Sequence, residues 1–154
     1  MRKIVIGFII FNLFACDQKN EWIYLFDGKT TDGWRGYNSQ VIPPGWTVKN
    51  GVLTFETTSR LENEYKGGKD IIYFKEEFEN FEFYLEWKIS EGGNSGIFYH
   101  VKEGYSSPYE ASPEYQLIDD LMWGKINNST LENWQKTAAD YAMYEAEQTD
   151  KIIK

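Results

Sequence analysis

The chain has 154 residues, near the size of one domain, and a hydrophobic fraction of 42% is enough to bury a core. Its 24 acidic side chains against 16 basic ones leave a net charge of −8, which argues against a phosphate-tracking surface, because nucleic-acid binding draws on clustered Lys and Arg. One cysteine and one histidine exclude an internal disulfide and a zinc site built from several Cys and His ligands.

The chain opens with Arg2 and Lys3, then an apolar run from Ile4 to Phe14 interrupted by Gly7 and Asn12. That is the layout of a signal peptide over residues 1–15, too short to anchor across a bilayer. Leu13-Phe14-Ala15-Cys16 resembles the lipobox of bacterial lipoproteins, in which cleavage after Ala15 leaves a lipidated Cys16 at the new N-terminus. Phe14 is bulkier than the usual residue there, and an ordinary secretory signal with an incidental cysteine is the alternative. Residues 16–20 then form a polar tether, and the expected product is acidic, exported and held to a membrane through the lipid on Cys16, in the periplasm or at the outer membrane or cell surface.

From Glu21 onward the apolar period is two rather than 3.6. Glu21 to Phe26 is a β-type run closed by the turn residues Asp27-Gly28-Lys29. Trp46–Lys49 and Val52–Phe55 flank Asn50-Gly51, the dipeptide that a type I′ turn favours because both central residues need positive φ. In Phe81 to Ser90, Phe81, Phe83, Leu85, Trp87 and Ile89 share one face and Glu82, Tyr84, Glu86 and Lys88 the other, which predicts a strand with Trp87 in the core. Gly92-Gly93-Asn94 reverses the chain into a strand over Ser95 to Val101, in which Ile97, Tyr99 and Val101 alternate with Gly96, Phe98 and His100. A further strand runs from Glu114 to Ile118. Ser129-Thr130-Leu131-Glu132 has the form of a capping box, and the spacing of Leu131, Trp134, Ala138 and Tyr141 predicts a short helix near 130–137, while Ala139 to Tyr144 also alternates as a strand does. Short strands separated by turns, with no crossover helices, predict an all-β antiparallel sandwich or jelly roll.

Taken in order, several segments resemble the 3-keto-disaccharide hydrolase family. They are Leu25-Phe26-Asp27-Gly28-Lys29, Gly33-Trp34, Gly45 to Leu53, Gly68 to Ile72, Phe78 to Glu82, Gly92 to Ile97 and Glu114 to Asp119. The resemblance spans Glu21 to about Tyr144, within a domain placed at 21–154. It implies a concanavalin A-like jelly roll, exported bacterial proteins often anchored as lipoproteins, and action on 3-keto-glycosides. Members continue with further strands, including a Gly-Glu-Trp-Asn-like segment with no counterpart here, so the resemblance implies a jelly roll incomplete at its C-terminus. An isolated chain ending at Lys154 is then expected to expose sheet edges and to lose stability or activity.

An ordinary glycosidase sets two carboxyl groups across the scissile bond, about 5–5.5 Å apart for retention and wider for inversion. The strand 114–118 puts residues 114 and 116 on one face about 7 Å apart, but the second position is Gln116, which neither attacks nor takes up a proton. A 3-keto sugar permits another route: its carbonyl acidifies the C2 proton, a base removes it, the C1 substituent leaves by elimination, and water adds back at C1. The candidates for base or acid are Glu114 and His100, with Gln116 and Asn94 as neutral donors. Asp119 and Asp120 are placed to bind sugar hydroxyls or a divalent cation, and Trp123 or Trp34 to stack on a pyranose ring.

Each has a plainer reading: Glu114 as a surface carboxylate, His100 as an exposed or structural histidine, Asn94-Ser95-Gly96 as a tight turn with Gly96 admitting a close approach, Asp119-Asp120 as Asx turns, the tryptophans as core. No dinucleotide fingerprint occurs, so no redox cofactor is expected, and oxidation at C3 falls to a separate glycoside 3-dehydrogenase. A non-catalytic carbohydrate-binding module and a structural interaction domain are the competing functions.

Overall fold

The computed structural model describes residues 22–56, 60–61, 64–65 and 69–144. The leader, Cys16 and the tether lie outside them. Among the described residues, eight strands pair antiparallel in four two-stranded sheets. They are β1 (Trp34–Gly36) with β6 (Ile71–Tyr73), β2 (Trp46–Lys49) with β3 (Val52–Phe55), β4 (Arg60–Leu61) with β5 (Glu64–Tyr65), and β7 (Asn94–Phe98) with β8 (Glu114–Ile118). Helix among the described residues is confined to α1 (Trp123–Asn127) and two single 3-10 turns, Pro108–Glu110 and Asn133–Gln135. The protein is therefore β-rich, and no helix among the described residues is long and apolar enough to cross a membrane.

The β2–β3 hairpin is as expected: Lys49 pairs with Val52, and Asn50 and Gly51 take φ of 51° and 79°, the positive pair that a type I′ turn needs. Trp46 and Phe55 face each other across it at 5.4 Å, and Trp46 Nε1 donates to the Lys69 carbonyl at 2.9 Å, tying the hairpin to the entry of β6. Asp27 closes its turn by accepting the Lys29 and Thr30 amides, both at 2.7 Å.

Three expectations are corrected. Residues 22–26 carry no ladder; Trp22, Ile23 and Tyr24 are exposed, and the segment is held by the Leu25 carbonyl, which accepts Trp34 Nε1 at 2.7 Å. Phe81 to Ser90 also has no ladder partner among the described residues, and Phe81, Phe83, Leu85 and Trp87 are between 42% and 47% exposed, so Trp87 is not a core residue. The alternation is real, but among the described residues no second strand lies beside it to bury its apolar face. The helix expected near 130–137 reduces to the turn Asn133–Gln135, while α1 forms earlier, ending at Asn128 in the left-handed region with φ 50°.

The core sits around β8, where Gln116, Leu117 and Ile118 are buried. One edge of β8 is the β7 ladder. On the other edge the Gln116 amide donates to the Ala139 carbonyl and the Ala138 amide to the Gln116 carbonyl, both at 3.0 Å, and Tyr141 donates to the Glu114 carbonyl at 2.8 Å. Thr137 Oγ1 extends this edge by donating to the Ile118 carbonyl at 2.7 Å. Residues 137–141 thus act as a third strand, kinked out of regular geometry by positive φ at Ala138 (71°) and ended by positive φ at Ala142 (61°).

Candidate active site

Antiparallel pairing puts directly opposed residues on the same face. The β7–β8 register opposes Asn94 to Ile118, Gly96 to Gln116 and Phe98 to Glu114, so Asn94, Gln116 and Glu114 share a face; alternation in the sequence pairs only 114 and 116, and the register adds Asn94. That face floors a hollow of about 670 Å³, walled by Tyr109 and Glu110 from the β7–β8 connection and by Tyr141 and Met143 from the edge segment. Trp134 packs edge-on against Tyr141, ring centroids 5.4 Å apart, and fixes the plane of that wall.

Glu114 is partly buried here. Loss of solvation, and then the nearby charge of Asp70, raise its carboxyl from the ordinary 4.5 to about 7. Asp70 reaches solvent, yet enough protein surrounds its carboxyl that desolvation lifts it as well. No hydrogen bond reaches the Glu114 carboxyl from the described residues. The second carboxyl of the hollow differs: Glu110 Oε1 accepts the Ser107 amide at 3.0 Å and the Ser106 hydroxyl, closing the 3-10 turn. Gln116, which lines the hollow, is only 2% exposed; its Oε1 accepts the Leu117 amide at 3.2 Å, so the group it has left to offer a ligand is the donor amide nitrogen.

The remaining candidates do not line this hollow. His100 takes φ 51°, leaving the strand phase, and stands with Glu77, Phe78 and Glu79 around a different depression, its ring against Phe81 at 6.0 Å and Tyr99 at 5.7 Å. It lines no part of the hollow that holds Glu114. Asp119 is a loop cap: it accepts the Gly92 amide at 2.9 Å, Leu121 at 3.1 Å and Met122 at 3.2 Å, and these bonds, Gly92 first, hold its carboxyl below the usual range. Asp120 accepts the Thr137 amide at 3.0 Å, anchoring the edge segment. Trp123 opens α1, and Trp34 packs edge-to-face on Tyr73 at 5.5 Å, so neither offers a sugar platform in the hollow. Among the described residues no three His, Cys, Asp or Glu side chains are grouped to hold a metal ion. Sequence spacing missed the walls, Tyr109, Glu110, Tyr141 and Met143, because they come from irregular segments.

A family profile described as the 3-keto-alpha-glucoside-1,2-lyase-like domain matches residues 21–153. The chain belongs to this family. A 3-keto-disaccharide hydrolase of Bacteroides thetaiotaomicron is similar to this lyase-like chain, 41% identical over 122 residues, covering 70% of the chain and 42% of the relative. A crystal structure of a Parabacteroides distasonis protein, provisionally assigned as a glycosyl hydrolase, superposes with a TM-score of 0.61 at 34% identity, covering 82% of this chain and 56% of that one. This member of the lyase-like family thus spans about half the length of the relatives it matches.

Proposed function

We propose that the protein is a glycoside-cleaving enzyme acting on 3-keto-glycosides, 3-keto-disaccharides among them, with Glu114 as the proton acceptor. The observation that carries this reading is a partly buried carboxyl, free of hydrogen bonds from the described residues and titrating at about 7, set in a hollow beside two neutral amides. The lyase-like family and the 3-keto-disaccharide hydrolase relative support the substrate class.

In the proposed reaction the Glu114 carboxylate takes the C2 proton and the electron pair moves onto the C3 carbonyl as an enolate. The enolate collapses, C1=C2 forms, the C1–O bond breaks, and the departing oxygen receives a proton from the now-protonated Glu114. Water then adds across C1=C2, hydroxyl to C1 and proton to C2, so the net reaction is hydrolysis. Gln116 and Asn94 stand as amide donors to the enolate oxygen or ring hydroxyls, and one such donor contributes about 3–4 kcal/mol where charge develops. The same reading makes the whole protein an exported jelly-roll lipoprotein, lipidated at Cys16, that receives its substrate from a separate glycoside 3-dehydrogenase; the leader-like residues 1–15 followed by Cys16 support export and lipidation, and the match to a longer glycosyl hydrolase-like structure supports a β-rich glycosidase fold.

The test is incubation with a 3-keto-glucoside, following the conjugated enone by absorbance and the released aglycone. Both are expected. Glycan binding without either product would instead favour a binding module. Glu114→Gln is expected to lower kcat by about 10²–10⁴-fold, the usual contribution of a general base, and an unchanged rate removes Glu114 from the mechanism.

A further inference from the structure

The proposed chemistry depends on where the Glu114 carboxyl points, yet no hydrogen bond from the described residues aims it. The sheet register offers another device. Gly96 lies opposite Gln116 and therefore diagonal to Glu114 on the same face. A Cβ built on Gly96 would fall 1.8 Å from Glu114 Oε1, 2.6 Å from its Cδ and 2.7 Å from its Cγ, distances at which no real side chain sits. The carboxyl and its stem occupy the volume that any side chain at 96 would fill. Backbone geometry does not demand glycine there, since Gly96 is outside the left-handed region that Gly92 adopts with φ 66°.

We propose that Gly96 is a positioning residue for Glu114: its bare backbone is the bed on which the carboxyl lies, setting its reach into the hollow and keeping water from one side of it. This rests on Glu114 as the proton acceptor. The close fit restricts the carboxyl without tying up its lone pairs, as a general base requires. A hydrogen-bond donor at the same place would also hold the group, but would stabilise the charged form and weaken the base.

The experiment is Gly96→Ala in the full protein. A folded variant is expected by circular dichroism, with kcat/KM lowered at least ten-fold, because a 1 Å misplacement of a reacting group costs about 10²-fold. The Glu114 carboxyl, followed by ¹³C NMR, is expected to titrate closer to 4.5 than to about 7, having been pushed toward solvent. An unchanged Glu114 titration, with or without loss of activity, overturns the proposal. If Gly96→Ala fails to fold, the double variant Gly96→Ala/Glu114→Ala is expected to restore folding by removing the collision, and failure of that rescue overturns it equally. A shifted titration in Gly96→Ala combined with full turnover in Glu114→Gln rejects Glu114 as the base while the positioning stands.

Discussion

At Glu114 catalysis and stability pull in opposite directions. A carboxyl raised from 4.5 to about 7 is a stronger base than an ordinary glutamate, and its ionisation is disfavoured in the folded state. The sign follows: the folded form holds its proton more tightly than the unfolded chain, so the associated stability is fully present below about 4.5 and is lost as pH rises through about 7. Urea midpoints at pH 5 and pH 8 should therefore differ more for the native protein than for Glu114→Gln, and equal differences would remove the shift. Glu114 and Gln116 were legible as a pair in the sequence because alternation along one strand fixes a shared face; Asn94, read as part of a turn, joins them only through the β7–β8 register. His100 was not: it lies two residues past the end of β7, and its own φ of 51° breaks the alternation that grouped it with Gly96 and Phe98. Gly96 reads in sequence only as permission for a close approach; the identity of the approaching group needed the register.

Among the elements, those specified by local chemistry were the readable ones. The Asn50-Gly51 hairpin has the bounds its residues dictate, since a turn dipeptide needs no distant partner, and β8 has the bounds its alternation dictates because β7 lies beside it. Phe81 to Ser90 has the pattern of a strand but no neighbour among the described residues, and a ladder is a property of two segments. The short β1 and β6 carry too few residues for periodicity to show. The edge segment 137–141 was ambiguous because Ala138 sits at φ 71°, where an alanine is strained by about 1–2 kcal/mol. Ala138→Gly relieves that strain against a smaller entropic loss. A modest rise in Tm is expected by thermal melting, and a fall would show that the alanine methyl contributes more by packing than it loses by strain.

Over the whole molecule, the β7–β8 connection is clasped to the β1 region. Arg35 makes two bonds of 2.6 Å to Glu103, whose Oε1 also accepts the Asn38 amide at 2.8 Å, and Tyr37 donates to the Lys102 carbonyl at 2.7 Å. The Arg35 side chain is 17% exposed and that of Glu103 32%, so the pair is partly shielded. Glu103→Gln should cost about 1 kcal/mol in urea denaturation at neutral pH. Arg35 holds the Glu103 carboxyl below its ordinary 4.5, so this contribution is present above that value and fades in acid; a cost that persists at low pH would assign it to packing instead. The exposed Phe81, Phe83, Leu85 and Trp87 have an opposite consequence: such a patch drives self-association. Light scattering should grow with protein concentration and weaken in Phe83→Lys, and identical scattering would exonerate the segment.

The two bonds that join Gln116 to residues 138 and 139 tie the floor of the hollow to the chain that continues into its Tyr141 wall. Whatever settles against that wall must slow its fraying, so deuterium uptake at the Gln116 amide, a nucleus that touches no sugar, becomes a gauge of occupancy readable without turnover.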